Sequence, residues 1–244
     1  MTIHPAVQSL WIGPRLSTFE RLTIASFLAN GHDFHLYTYE TVADVPAGTT
    51  VLDAGAIVPP SRIFSYPANG SFAGFSNLFR YRLLLERGGW WVDLDTVCLK
   101  PFEFDADYVF SSEIDKGVAV IDAAAIKAPA GSPLAEYAWR VCESKDVTTL
   151  RWGETGPRLL AAAVSHAGLL AYVQPPQTFC PTRYPEWRSV IDPDAHRGFG
   201  PDVYAIHLWN EMWRHHGQDK DGNYPAGCVL ERLKSRYPGS KTSA

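Results

Sequence analysis

Cysteine is scarce and scattered. Cys98, Cys142, Cys180 and Cys228 make up the full complement of 4. No two of them stand at a CxxC or zinc-ribbon spacing, so a structural zinc module is not indicated. Spacing alone leaves a disulfide open, but nothing in the arrangement asks for one. An excess of one charge is also lacking: 22 Lys plus Arg stand against 26 Asp plus Glu, a net charge of −4. No global basic field exists to hold nucleic acid, and a nucleic-acid acceptor is disfavoured. Long hydrophobic runs are missing too. The greasiest stretch, Leu159 to Val173, is interrupted by Ser165, His166 and Gly168, and a bilayer span takes about 20 apolar residues. The opening Met1-Thr2-Ile3-His4-Pro5 has no basic region followed by an apolar run, so no secretory signal is expected. These absences predict a reduced, cytoplasmic protein with no transmembrane segment.

What is present is a globular composition. Hydrophobic residues make up 46% of the 244 and charged residues 20%, ample for one large core. Aromatics reach 13%, with 8 Trp, serving either ring stacking on a ligand or interior packing. No internal repeat, low-complexity tract or long linker divides the chain, so a single domain over 1–244 is expected.

The first sixty residues read as strand, helix, strand, strand. Val7 to Ile12 is mostly apolar and ends at Gly13-Pro14. Ser17-Thr18-Phe19-Glu20 has the pattern of a capping box, opening a largely buried helix that Asn30-Gly31 stops. Phe34 to Tyr39 alternates like a strand, and a further strand is expected from Thr50 to Val58, ended by Pro59-Pro60. Without a hairpin turn between them, the first two strands should be parallel with a right-handed crossover. A helix follows over Ser71 to Arg87, closed by Gly88-Gly89, then a strand over Trp90 to Leu99. Strands are expected at Tyr108 to Ser112 and Gly117 to Ile121. Helices are expected at Leu134 to Glu143, after a Ser132-Pro133 cap, and at Pro157 to Ala167. From Gln174 onward Pro, Trp and Tyr with weak periodicity predict long ordered loops.

Asp93-Leu94-Asp95 carries the clearest chemistry. On a strand, alternation would put both carboxylates on one face. Two carboxylates that close repel unless a cation lies between them or one is protonated. An oxygen-rich divalent site suits Mn²⁺, or Mg²⁺, and such an ion can accept a diphosphate and neutralise a leaving group. Asn77 and Arg80, three apart on the preceding helix, share a face.

The run Ser76-Asn77-Leu78-Phe79-Arg80, Leu83-Leu84-Leu85, Gly88-Gly89 and Trp91-Val92-Asp93-Leu94-Asp95 resembles the DXD block of sugar-nucleotide glycosyltransferases. Within that class it is similar to the family that includes yeast mannosyltransferase-type enzymes, bacterial capsule and lipopolysaccharide sugar transferases, and the catalytic domain of large clostridial toxins. Leu10-Trp11-Ile12-Gly13 resembles the family's first-strand element. Ile121-Asp122 through Ala128-Pro129 resembles its INxAxxxxP element, with Asp122 where Asn is common. His207-Leu208-Trp209-Asn210-Glu211-Met212-Trp213 resembles its HxWxxSW element, with Met212 where Ser is usual.

The resemblance implies a GT-A fold: α/β, a Rossmann-like mixed central sheet flanked by helices. Its nucleotide-binding part would cover about 7–100 and its acceptor-side part about 101–244. It implies a retaining, metal-dependent hexosyl transfer from a nucleotide sugar, UDP-linked by preference and GDP-linked second, to a glycan or lipid-linked saccharide. Trp11, with Ile12 and Gly13, would hold the nucleotide base; Ser76, Asn77, Arg80 and Trp91 would line the donor site. Asp93 and Asp95 would bind ribose and metal, His207 would be a further metal or diphosphate ligand, and Asn210 would add an oxygen. Asp122, with Arg80 and Asn77, would act at the anomeric carbon. Asn77 departs from the family's usual Asp, which bears on donor-sugar choice. Trp209 and Trp213 would floor a sugar pocket or pack. Acceptor contacts are expected from Pro59 to Ala73 and Gln174 to Gly200. The competing readings are a carbohydrate-binding or degenerate module without turnover, and a metal-dependent nucleotide-sugar diphosphohydrolase.

Overall fold

The structure, a computed structural model, describes residues 6–67, 69–195 and 198–240; the opening pentapeptide, and Ala68, His196 and Arg197 of the expected acceptor segments, lie outside the described residues. The elements run β1 Val7–Trp11, α1 Thr18–Ala29, β2 Phe34–Thr38, β3 Thr50–Asp53, α2 Ala73–Arg87, β4 Gly89–Val92, β5 Thr96–Cys98, β6 Val109–Asp115 and β7 Val118–Ala128. They continue with α3 Pro133–Glu143, α4 Pro157–His166, α5 Pro176–Phe179, β8 Ala205–His207, α6 Asn210–His215 and α7 Val229–Arg236. Short 3-10 turns fill several of the connections.

The main sheet has the order β3-β2-β1-β4-β7-β6, and β5 pairs with β8 in a separate two-stranded ribbon. β1 is parallel to β2 and to β4, and β2 to β3. β7 is antiparallel to β4 and β6. This is a mixed α/β domain with helices on both faces of its sheet. Alternation along the strands feeds two cores. Trp90 and Val92 join Phe19, Leu22, Phe34 and Leu36 under α1 and α7, while Trp91 joins Leu10, Phe75, Leu78 and Ile126 under α2 and α3.

Local chemistry accounts for the element ends. The Ser17 amide donates to Glu20 Oε2 at 2.6 Å, one half of the expected capping box, and the Ser132 hydroxyl accepts from Ala135 N as the α3 cap. Gly88 sits at φ 62°, where a Cβ would stand 2.4 Å from Ala130 N. Only glycine can end α2 there and start β4 immediately. Lys116 and Gly117 both take positive φ, the hairpin turn that extends the two predicted strands into the longer β6 and β7.

Three expectations change. The third strand stops at Asp53 rather than Val58, because the Asp53 carboxylate accepts from Gly55 N at 2.7 Å and folds the chain into a turn. The strand expected over Trp90 to Leu99 breaks in two at Asp93: Thr96 N donates to Asp93 O at 3.0 Å, and β5 leaves the main sheet to pair with β8. The DXD carboxylates therefore lie in a turn, not on one strand face. The region after Gln174 is less loop-like than expected and contains α5, β8, α6 and α7. A smaller difference is a start of α2 at Ala73 instead of Ser71. No helix among the described residues is long and apolar enough to cross a membrane. All four cysteines are free and buried.

Candidate active site

β1 leads on to β2 and β3 on one side, while β4 pairs on the other side of β1. Crevices beyond the carboxyl ends of strands at such a reversal are where open α/β sheets bind ligands. The residues at that point are Trp11-Ile12-Gly13, leaving β1, and Asp93-Leu94-Asp95, leaving β4. The Trp11 indole Nε1 is buried and has no hydrogen-bond partner, with Gly13 at φ 138° packed beneath it.

The Asp93 side is built by α2 and β4. Arg80 Nη2 stands 2.9 Å from Asp93 Oδ1, and Trp91 Nε1 donates to the same oxygen at 2.9 Å. Arg80 also donates to Ala123 O at 2.6 Å, to Ser76, and stacks 4.9 Å from the Trp91 ring centroid. Arg80 is thus committed to Asp93 and the backbone of β7, and Trp91 is fully buried behind it. Asn77 is buried and donates to Thr155 Oγ1 at 3.3 Å. A Cβ on Gly156 would lie 3.2 Å from the Asn77 amide, and Tyr81 donates to Thr155 O at 3.0 Å. Thr155-Gly156, at the start of α4, therefore packs against α2.

The Asp95 side is built by tertiary pairing. β5 against β8 puts Thr96 opposite His207, and His207 Nε2 lies 3.2 Å from Asp95 Oδ2. The Asn210 amide donates to the same oxygen at 2.7 Å, so Asn210 enters this site through its backbone. That geometry depends on Trp209, which takes a left-handed φ of 59°, costly for a tryptophan. Its indole is pinned to Thr182 O at 2.8 Å, and its ring lies 4.0 Å from that of His207. Trp213 is fully buried and donates to Leu208 O, so it packs and does not floor a pocket.

Behind His207 stand two further groups. Its Nδ1 is 3.8 Å from Asp122 Oδ2 and 3.9 Å from Cys180 Sγ. Asp122 lies inside β7 and is buried; its Oδ2 accepts from Ala124 N at 3.0 Å and from Ser111 Oγ at 3.4 Å. Cys180, Ser111 and Glu113 carried no sequence signal as site residues. Cys180 follows a short helix in an aperiodic stretch, and Ser111 and Glu113 are ordinary strand residues.

Electrostatics divides the two DXD carboxylates. Burial, opposed by Arg80 and reinforced by Asp95, leaves Asp93 above the usual carboxylate range. Burial pushes Asp95 the same way, but His207 and the Asn210 amide outweigh it and hold Asp95 below that range. Burial disfavours the His207 imidazolium, yet Asp95, Cys180 and Asp122 together raise it well above an ordinary histidine. Burial and then Asp122 raise Glu113 to about 7.

Asp93, Asp95 and His207 each offer a ligand atom within 4.8 Å of the others. Two carboxylates and an imidazole are a donor set that suits Mn²⁺ or Mg²⁺, so the residues present fit a divalent cation. Neither a protein-family model nor a curated protein matches the chain. Among solved structures, the PaToxG glycosyltransferase is similar at 16% identity over 67% of this chain and 69% of that one, with a TM-score of 0.49. A transferase carrying two cysteine-to-serine substitutions is similar at 10% identity over 69% of this chain and 87% of that one, with a TM-score of 0.47.

Proposed function

We propose that this chain is a GT-A glycosyltransferase that moves a hexose from a nucleotide sugar, UDP-linked by preference, to a hydroxyl of a glycan or lipid-linked acceptor. The observation that carries the reading is the convergence of Asp93, Asp95 and His207 just past the end of β4; Trp11, with its unpartnered indole, ends the neighbouring strand β1. A cation held by these three residues supplies Lewis-acid neutralisation of a departing diphosphate. The rest belongs to the chain. Trp11 stacks on the base, and its free Nε1 donates to a ligand oxygen. Arg80 holds Asp93 in place through their 2.9 Å pair, so the position of that carboxyl group is set before the donor binds. Asn77, Thr155 and Gly156 border the sugar. Asp122 acts through His207, orienting the imidazole from the side opposite Asp95.

The transfer is retaining in this reading. The acceptor O–H bond breaks as its oxygen bonds the anomeric carbon, the bond from that carbon to the diphosphate breaks, and the diphosphate oxygen takes the proton. Asn77 and the buried Asp122, both departures from the family pattern, favour one competing reading, a sugar-binding module without turnover. Release of nucleoside diphosphate from UDP- and GDP-sugars, with Mn²⁺ or EDTA, tests the proposal. Turnover of one donor that needs both metal and Asp95 supports it. Absence of both turnover and Mn²⁺-dependent nucleotide binding overturns it in favour of the module. Sugar 1-phosphate with nucleoside monophosphate as products would make the protein a diphosphohydrolase.

A further inference from the structure

Asp122, Cys180 and His207 form a closed triangle that the proposed transfer does not need as a ligand set. Sγ to Oδ2 is 3.6 Å, Sγ to Nδ1 is 3.9 Å and Nδ1 to Oδ2 is 3.8 Å. All three residues are buried, at 4%, 5% and 7% exposure for Cys180, Asp122 and His207. Ligands of a zinc ion, at its usual bond lengths to S, N and O, stand roughly 3.3–3.8 Å apart. The triangle therefore needs to contract by only a few tenths of an ångström. A thiolate, an imidazole and a carboxylate make a softer set than the DXD oxygens, one that prefers Zn²⁺ over Mn²⁺ or Mg²⁺. Three protein ligands leave a position open.

The shared histidine links this triangle to the DXD turn. A neutral imidazole has one nitrogen with a free lone pair and one that carries a proton. If Nδ1 binds an ion in the triangle, Nε2 keeps the proton and donates to Asp95, 3.2 Å away. If Nε2 binds an ion beside Asp95, Nδ1 keeps the proton and faces Asp122 and Cys180. The ring serves one side at a time.

We propose that Asp122, Cys180 and His207 form a second site, for a soft divalent cation such as Zn²⁺, that competes with the Asp93–Asp95 site for the single His207 ring. The triangle stands on its own geometry; the competition rests on the metal reading of the DXD turn given above. Binding displaces the Cys180 thiol proton to solvent and forms the metal–sulfur bond, with no change of oxidation state.

Cobalt(II) is the probe, because its bond to a thiolate gives a charge-transfer absorption in the near ultraviolet. Chelator-treated full-length protein is titrated with Co²⁺ alone. The expected result is one equivalent bound with that absorption, bleached by Zn²⁺ and kept in Cys142→Ser and Asp95→Asn. In Cys180→Ser the absorption should be absent, and in Asp122→Asn the Co²⁺ affinity should fall at least tenfold. No thiolate band in the wild type, or a band that survives Cys180→Ser, overturns the site; circular dichroism establishes that each variant is folded, and Asp122→Asn decides should Cys180→Ser not fold. Saturating Mn²⁺ with UDP should raise the apparent Co²⁺ dissociation constant at least tenfold. A wild type that binds UDP with Mn²⁺ but whose cobalt band ignores it overturns the competition. A wild type that binds neither UDP nor GDP with Mn²⁺ and turns over no donor overturns the transferase reading, and the cobalt band alone then decides the soft-metal site.

Discussion

On one side of the Asp93-Leu94-Asp95 turn a carboxyl group is paired with a guanidinium, and on the other with an imidazole. Arg80 and Asp93 come from α2 and β4, adjacent in sequence, and the pair is closed by Trp91, two residues from Asp93. Asp95 and His207 are brought together across the β5–β8 ribbon, and the histidine is backed by Asp122 from β7 and Cys180 from the stretch after α5. The difference teaches that the Arg80 side is fixed in position and assembled locally. The His207 side is switchable in charge and depends on four separate parts of the chain.

The comparison is broken most severely by Asp95→Ala, which removes the proposed cation oxygen, the His207 partner and the Asn210 amide acceptor together. Mn²⁺-dependent UDP binding should be lost in calorimetry, and donor turnover should fall on the order of 10²–10³-fold, the size seen when a charge-stabilising group is deleted. Arg80→Ala tests the fixed side. It strands the Ala123 carbonyl and leaves the Asp93 carboxylate without its cation, so urea unfolding should show a loss of about 2–4 kcal/mol.

The switchable side is read by pH. His207 is raised in the folded protein, so its contribution to stability is complete below the unfolded histidine value of about 6.5 and is lost as pH rises through the folded value. In chelator-treated protein the urea midpoint should therefore fall as pH rises above neutral, and His207→Gln should flatten that slope. Metal affinity should run the other way, because only the neutral ring ligates. The smallest effect is expected at Glu113, whose Oε2 is buried without a partner. Its acid form is favoured up to about 7, so ionisation costs stability as pH climbs from the ordinary glutamate range through that value. Glu113→Gln should raise the unfolding free energy at pH 8 by about 1–2 kcal/mol once screening is allowed for, and leave it unchanged below pH 4.5.

Much of the scaffold could be read directly. The Ser17 to Glu20 pattern, the Asn30-Gly31 stop and the alternation of Phe34, Leu36 and Thr38 correspond to α1 and β2, because caps and periodicity act within one turn or one strand. Asp93, Asp95 and His207, grouped in the sequence by resemblance, come together in the structure. Their setting was not legible: nothing in Trp90 to Leu99 announces that the strand breaks at Asp93, since the break is decided by whether β7 or β8 is the better neighbour for each part. Trp213 was readable as sugar-binding or packing with equal justice, and its burial decides for packing.

By itself the sequence determined the strand–helix alternation, the glycine-closed end of α2 and the pair of carboxylates that follows it, because these follow from backbone sterics, capping and local charge. Only the tertiary structure decided that β5 leaves the main sheet for β8, that Asp122 faces inward from the middle of β7, and that Cys180 meets His207. Those contacts join residues far apart in the chain. Closing such distances costs chain entropy, which is offset by the packing of whole elements and not by any short pattern of residues.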